Sequence, residues 1–379
     1  MCAVAEINGE YDEGFAGVAE TLSRNVDEGL DVGASVAVFI DGEPVVDIWS
    51  GHQDAARTQP WERDTIVNVF STTKTMAALC ALILADRGEL DLHAPVTRYW
   101  PEFGAAGKEQ IEVRHLLGHT SGLSGWETPL AVEDLADWDR CTELLARQAP
   151  WWESRAQSGY HAVTQGYLIG EVMRRITGQS PGRFFKENVA DPLGADFHIG
   201  IPPEAEARVA PLIPHPPADL REGGLPVLGV RTLGNPPITG DVTAERWWQR
   251  AEIPAANGQG NARSVAAIQS VVACGGEARG TRLLSEAGVA VVFQEQANGR
   301  DLVLDVPLRF GMGYGLASET LPMGPRGCAW GGYGGSLVVN DLDARVTVAY
   351  VMNRMEAGLV GDPRGAGVVT AAVMGLANR

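Results

Sequence analysis

Asn68-Val69-Phe70-Ser71-Thr72-Thr73-Lys74-Thr75-Met76 is the stretch from which the rest of the chain can be read. An apolar run, Ile66 to Phe70, leads into it. A helix is expected from Ser71 to about Arg87, with Met76, Leu79, Leu82 and Ile83 apolar, and Gly88 ends it. Lys74 then stands one turn after Ser71 on the same face. A serine at a helix N-terminus sits in the positive end of the dipole, beside free N–H groups that can hold an oxyanion. An ordinary lysine, with a pKa of ~10.4, is a poor base at neutral pH. Burial lowers that value, and the neutral amine can then take the serine proton. The plain alternative is a capping serine and a solvated lysine. Lysine is scarce here, at Lys74, Lys108 and Lys186 only, which makes a chance Ser-x-x-Lys rarer.

Upstream, Ala34–Ile40 and Pro44–Trp49 are β-rich runs joined by Asp41-Gly42-Glu43, a hairpin signal. Downstream, Ser336–Asn340 and Ala344–Met352 form a second hairpin, turning at Asn340-Asp341-Leu342-Asp343. Helical patterns cover Tyr11–Glu28, Asn261–Cys274, Ser285–Gln294 and Ala366–Leu376. The Pro- and Gly-rich stretch His198–Pro237 is expected to be irregular. The fold class is therefore α+β. One antiparallel sheet is built from both termini and flanked by helices, with an inserted mostly helical subdomain. Residues 1–75 and 250–379 make a discontinuous α/β subdomain, residues 76–249 the helical one, and the cleft between them is the expected ligand site.

The 379 residues carry 45% hydrophobic and 21% charged side chains, enough for a sizeable core. With 48 acidic against 30 basic residues the formal charge is −18, which argues against nucleic acid or an anionic membrane as partner. No run of about 18 apolar residues is present, so no spanning helix is expected. Met1 to Tyr11 is acidic and does not read as a secretory signal. The cysteines Cys2, Cys80, Cys141, Cys274 and Cys328 are far apart and read as reduced thiols of a cytoplasmic protein. His115 and His119 stand at i, i+4 without a Glu between them or an obvious third ligand, so neither metal nor cofactor is expected. Oligomeric state is left open.

Three further segments carry a resemblance. His115-Leu116-Leu117-Gly118-His119-Thr120-Ser121-Gly122-Leu123 is similar to the His-Leu-Leu-x-His-Thr-Ser-Gly-Leu segment of serine β-lactamase-like proteins. Its bare physical reading is a tight turn with side chains bonded to backbone, and His119 is given no catalytic role. Tyr160, followed by Val163, Tyr167, Leu168, Ile169 and Gly170, resembles the superfamily's second motif, in which a tyrosine opens a helix and reaches the serine. Tyr167 continues the apolar pattern and reads as core. Trp330-Gly331-Gly332-Tyr333-Gly334-Gly335 resembles the third motif, whose strand edge supplies a second oxyanion N–H, here that of Tyr333. The glycines alone would read as a turn at a strand start. Gly258-Gln259-Gly260-Asn261-Ala262-Arg263-Ser264 and Phe310-Gly311-Met312-Gly313-Tyr314-Gly315 add to the likeness.

Class C β-lactamases and D,D-peptidases carry Tyr-x-Asn and Lys-Thr-Gly at these places; this chain has Tyr160-His161-Ala162 and Trp330-Gly331-Gly332. Losing a charge-assisted bond to a β-lactam carboxylate costs ~1.5–3 kcal/mol, so efficient β-lactam hydrolysis is not expected. Trp-Gly-Gly is similar to family VIII carboxylesterases, and an aromatic rim suits apolar esters. The resemblance implies a serine esterase with Ser71, Lys74 and Tyr160 catalytic. It implies Ser71 and Tyr333 as oxyanion donors, and Trp330, Gly331 and Gly332 against a small-molecule ester of short-to-medium acyl chain. Trp126 is added to the substrate-binding set as a tryptophan that could line an apolar pocket, against the plainer reading of core or rim packing. Gly122-Leu123-Ser124-Gly125-Trp126 only approaches the G-x-S-x-G elbow of α/β-hydrolases. Trp151, Trp152, Trp247 and Trp248 could also line an apolar pocket. An acyltransferase, a weak β-lactamase or amidase, and a catalytically silent binding protein are the rival readings.

Overall fold

Alternation along Gly33–Ile40 points Val36 and Val38 to one face of a sheet and Ala37 and Phe39 to the other, and all four are buried. A strand covered on both faces belongs at the centre of a layered fold. The computed structural model, which describes residues 5–153, 155, 157–216 and 224–378, puts it there. Among the described residues the main sheet has nine strands: β1 (Asn8–Tyr11), β2 (Gly33–Ile40), β3 (Glu43–Gly51), β4 (Ala297–Arg300), β5 (Pro307–Phe310), β6 (Gly315–Leu316), β7 (Gly327–Gly331), β8 (Leu337–Asp341) and β9 (Val346–Met352). Their lateral order is β1-β3-β2-β9-β8-β7-β6-β5-β4, with every neighbouring pair antiparallel. The central pair joins the two ends of the chain, Ala34 opposite Met352 and Ile40 opposite Val346.

The longer helices are α1 (Ala16–Asp27), α2 (Thr73–Asp86), α3 (Trp138–Arg147), α4 (Thr164–Thr177), α5 (Ala262–Ala273) and α6 (Pro363–Ala377). On one face α1 and α6 enclose Phe15, Val18, Leu22, Val348, Tyr350 and Val368. On the other, α5 sets Val265, Ile268 and Val272 against Ala37, Phe39 and Ala349. Helix α2 is buried on every side from Thr73 to Leu84, as a helix without a polar face must be.

Both hairpins form where they are expected, the second one turning later, through Leu342–Arg345. The first helix begins at Ala16 rather than Tyr11. Asn8–Tyr11 instead pairs with β3, and Gly9 (φ 97°) lies so close to Asp47 O that a Cβ there would meet it at 2.1 Å. Strands β4 to β7 were not anticipated; they are two to five residues long, and three of the four carry glycine. His198–Pro237 contains a 3₁₀ turn, Pro203–Arg208, and a helix, Val227–Leu233. Residues 217–223 of that stretch, and Cys2, lie outside the described residues. Cys80, Cys141, Cys274 and Cys328 are free and buried.

Candidate active site

The chain enters α2 through a 3₁₀ turn, Phe70–Thr72, with Phe70 at φ 42°, a strained value for a residue with a side chain. Thr72 N–H is bonded to Val69 O at 3.2 Å. Ser71 N–H comes one residue earlier and has no acceptor within the turn. Ser336 holds the turn from the side: its Oγ donates to Val69 O at 2.8 Å and pairs with Thr72 Oγ1 at 2.9 Å. Gly332 packs directly on Val69, where a Cβ would stand 2.1 Å from Val69 O. Only glycine allows the Trp330–Gly335 turn to lie this close to the serine.

Lys74 is wholly buried. Its Nζ donates to Ala162 O at 2.6 Å, Ala255 O at 3.0 Å and Ser71 Oγ at 3.1 Å. Burial holds its pKa well below the ordinary lysine value. Tyr160 OH donates to the same Ser71 Oγ at 2.7 Å, and Lys74 Nζ lies 4.9 Å from the Tyr160 ring centre. Burial pushes the phenol up to about 12, with hydrogen bonds to Ser71 and Trp330 pulling the other way. Ser71 Oγ is thus flanked by a low-pKa amine and a phenol that keeps its proton at neutral pH.

Tyr160 is fixed from behind. Its N–H donates to Asp301 Oδ1 at 3.0 Å, and the same buried oxygen accepts from Val303 N–H and Leu304 N–H. His119 (φ 59°) is fully buried; its ring stacks on Trp330 at 5.4 Å and meets Tyr160 at 5.1 Å and Phe310 at 4.9 Å. Its Nδ1 accepts from His161 N–H, and burial drives its pKa well down, so it is a neutral platform. Tyr167 is core, its OH donating to Leu135 O at 2.5 Å.

Tyr333 lies in the turn after β7, its ring edge-on to Phe70 at 5.4 Å and its OH bonded to His215 Nε2 at 2.6 Å. The turn is clamped by Arg364, whose Nη2 donates to Gly334 O at 2.8 Å. Arg364 is buried and pairs with Asp31 at 3.0 Å and Asp362 at 2.6 Å, while Tyr350 OH also donates to Asp31. Beside Tyr160 and Trp330 a cavity of about 290 Å³ opens, with Gly331, Gly332, Leu308 and Leu337 in its wall. Trp126 is not there. It is buried in the core, edge-on to Tyr167, with Nε1 donating to Cys141 O, and so cannot meet a ligand as expected. Trp151, Trp152, Trp247 and Trp248 do not line this cavity either; Trp248 is buried and bonded to Asn68. Among the described residues no three His, Cys, Asp or Glu side chains converge as a metal site, and no helix is long and apolar enough to cross a membrane.

The family model described as Beta-lactamase matches residues 22–370. The chain belongs to the beta-lactamase family. Within that family it is 36% identical over 371 residues to "Esterase/beta-lactamase LipL" of Mycobacterium tuberculosis, covering 93% of this chain and 84% of the relative. A solved "family VIII carboxylesterase" superposes with a TM-score of 0.92 at 39% identity, over 98% of this chain and 100% of that one. A "Penicillin-Binding Protein (PBP) Homolog from Caulobacter crescentus" superposes with a TM-score of 0.90 at 35% identity, over 98% and 100%. The α+β architecture with its antiparallel sheet is that of this beta-lactamase and penicillin-binding-protein fold.

Sequence reading did not find Ala162 O, Ala255 O, Asp301 or Arg364. Two of these act through backbone carbonyls, which leave no mark in the sequence. The other two hold backbone groups of Tyr160 and Gly334 from positions distant in sequence.

Proposed function

We propose that this protein is a carboxylesterase that forms an acyl-enzyme on Ser71. The observation that carries the reading is the convergence of Lys74 Nζ and Tyr160 OH on one serine oxygen, at 3.1 and 2.7 Å. Neutral Lys74 takes the Ser71 proton as Oγ attacks the ester carbonyl. Ser71 N–H and Tyr333 N–H hold the oxyanion, each such donor being worth roughly 2.7–4 kcal/mol. Tyr160 gives its proton to the departing alcohol, leaving a phenolate beside the Lys74 ammonium. In deacylation the phenolate takes a proton from water, the hydroxide attacks the acyl carbon, and Lys74 returns its proton to Ser71 Oγ. Every proton is accounted for over the cycle. Water sets hydrolysis; an added alcohol in its place would give acyl transfer.

The substrates are neutral esters of short-to-medium acyl chain. The test is turnover of p-nitrophenyl acetate, butyrate and octanoate beside nitrocefin, with wild type and Ser71→Ala. Ester cleavage is expected to fall by about 10⁴-fold or more in the variant, with nitrocefin cleaved far more slowly than the esters by wild type. Esterase activity retained in pure Ser71→Ala overturns the reading.

A further inference from the structure

Tyr160 belongs to no helix or strand; the chain from Ser158 to Val163 runs irregularly before α4 begins. What aims its phenol at Ser71 Oγ is therefore a set of bonds from the surrounding fold. Leu302 N–H donates to Ser158 O at 2.9 Å, Gly159 N–H to His119 O at 3.0 Å, and Tyr160 N–H to Asp301 Oδ1 at 3.0 Å. Asp301 stands in the loop between β4 and β5 and is fixed there, because the same oxygen accepts from Val303 N–H at 2.9 Å and Leu304 N–H at 3.0 Å. It is 1% exposed, and its Oδ2 meets no donor among the described residues. An asparagine would accept the same three bonds without the cost of a buried charge. The bonds alone therefore do not account for a carboxylate.

The charge lies beside a phenol that has to give up a proton and regain it. Tyr160 must still be protonated when the alcohol leaves, and its phenolate must then be basic enough to draw a proton from water. A negative charge nearby serves both needs, because it disfavours the phenolate. The strands packed on the ring present Phe310 and Trp330, which carry no charge. The other titratable groups around it are Lys74, His119 and His161, and burial drives all three toward their neutral forms, His161 to about 3. Burial is the main cause that raises the phenol, and the Asp301 charge adds to it. Resting on the esterase reading, we infer that Asp301 is a positioning residue for Tyr160: through the backbone it holds the phenol on Ser71 Oγ, and through its charge it keeps the proton there until the alcohol takes it.

Two esters of one acid separate this role from a general structural loss. p-Nitrophenolate is a weak base and departs without a proton; ethoxide is a strong one and needs Tyr160. Asp301→Ala removes both the acceptor and the charge. Its kcat/KM for ethyl butyrate is expected to fall about 100-fold, the scale for a proton donor displaced by about an ångström. The ratio of that kcat/KM to the value for p-nitrophenyl butyrate should fall about tenfold or more. Asp301→Asn keeps the acceptor and drops only the charge. It should regain most of the loss at neutral pH, while the alkaline fall of its kcat/KM comes at lower pH than in wild type, because the phenol gives up its proton sooner.

Equal losses on the two esters in Asp301→Ala would make the carboxylate a structural support only and overturn the inference, as would an unchanged ratio. If Asp301→Ala does not fold, Asp301→Asn decides: an alkaline fall at the wild-type pH overturns the inference, and one at lower pH upholds it. Wild type inactive on both esters would instead break the esterase reading, and the role of Asp301 with it.

Discussion

Lys74 and Lys108 are both wholly buried, and each turns its nitrogen toward three oxygens. Lys108 meets only carbonyls: Ala105 O at 2.7 Å, Ala146 O at 3.0 Å, and Gln148 O. Two of these close the C-terminal end of α3, where a cation is favoured. Lys74 meets two carbonyls and one hydroxyl, and that hydroxyl has a proton to give. Burial lowers both amines, Lys108 to about 8 and Lys74 far below the ordinary lysine range. Burial alone therefore does not make a base for catalysis. In the proposed mechanism the third partner does: carbonyls can only receive, so Lys108 is a staple, whereas Ser71 can be deprotonated.

This contrast can be broken most directly at Lys74. Lys74→Met should lower kcat by about 10³–10⁴-fold, the scale of a lost general base, while urea denaturation shows a loss of only about 1 kcal/mol for neutral hydrogen bonds. Lys74→Arg should be equally inactive, because a guanidinium stays charged and cannot take the proton. Tyr160→Phe comes next, with kcat down about 10²–10³-fold for the lost proton donor. Activity comparable to wild type in that variant would show that the alcohol leaves without Tyr160. Lys108→Met should do the reverse of Lys74→Met. Urea denaturation should show a loss of about 2–3 kcal/mol for charge-assisted bonds, with kcat/KM within about twofold.

The smallest effects are in pH. Lys74 acts unprotonated, so kcat/KM should rise with pH through its lowered pKa and level off where an ordinary lysine would still be charged. A half-rise near 10.5 would mean that Lys74 is not the base. The unfolded chain holds the Lys108 proton to about 10.5, the folded chain only to about 8. Across that interval the unfolded state binds more protons, so this group makes stability rise with pH. Lys108→Met should remove the slope, read as urea midpoints between pH 8 and 10.5.

Much of this was legible wherever a side chain carries the signal. Ser71 and Lys74 meet as their spacing suggests, although the serine lies in the 3₁₀ turn before α2 rather than in the helix itself, and the two hairpins declare themselves by alternation and turn residues. Tyr160 and Trp330 were legible through the motifs around them. Where backbone carries the contact, the sequence is mute: Ala162 and Ala255 matter for their carbonyls, which any residue could supply. Trp126 was misplaced for another reason. Its size and polarity suit a rim or a core equally, and its neighbours Tyr167 and Cys141 decide for the core. Strands β4 to β7 escaped because runs of two to five residues are too short for alternation to register.

The clamp around Arg364 has a consequence for how the molecule comes into being. Asp31 lies 333 positions from Arg364 and 319 from Tyr350, and Arg364 in turn grips Gly334 in the turn that follows β7. A chain growing on the ribosome makes the β2–β3 hairpin first but lacks β9, the partner of β2, until everything between Gly51 and Val346 has been synthesised. Until then an apolar strand edge stays open, the kind of surface that invites association with other chains. Closure across so long a separation is slow. The same late event that seals this edge also locks Gly334, so the nascent polypeptide gains its protection from aggregation and its chemistry together.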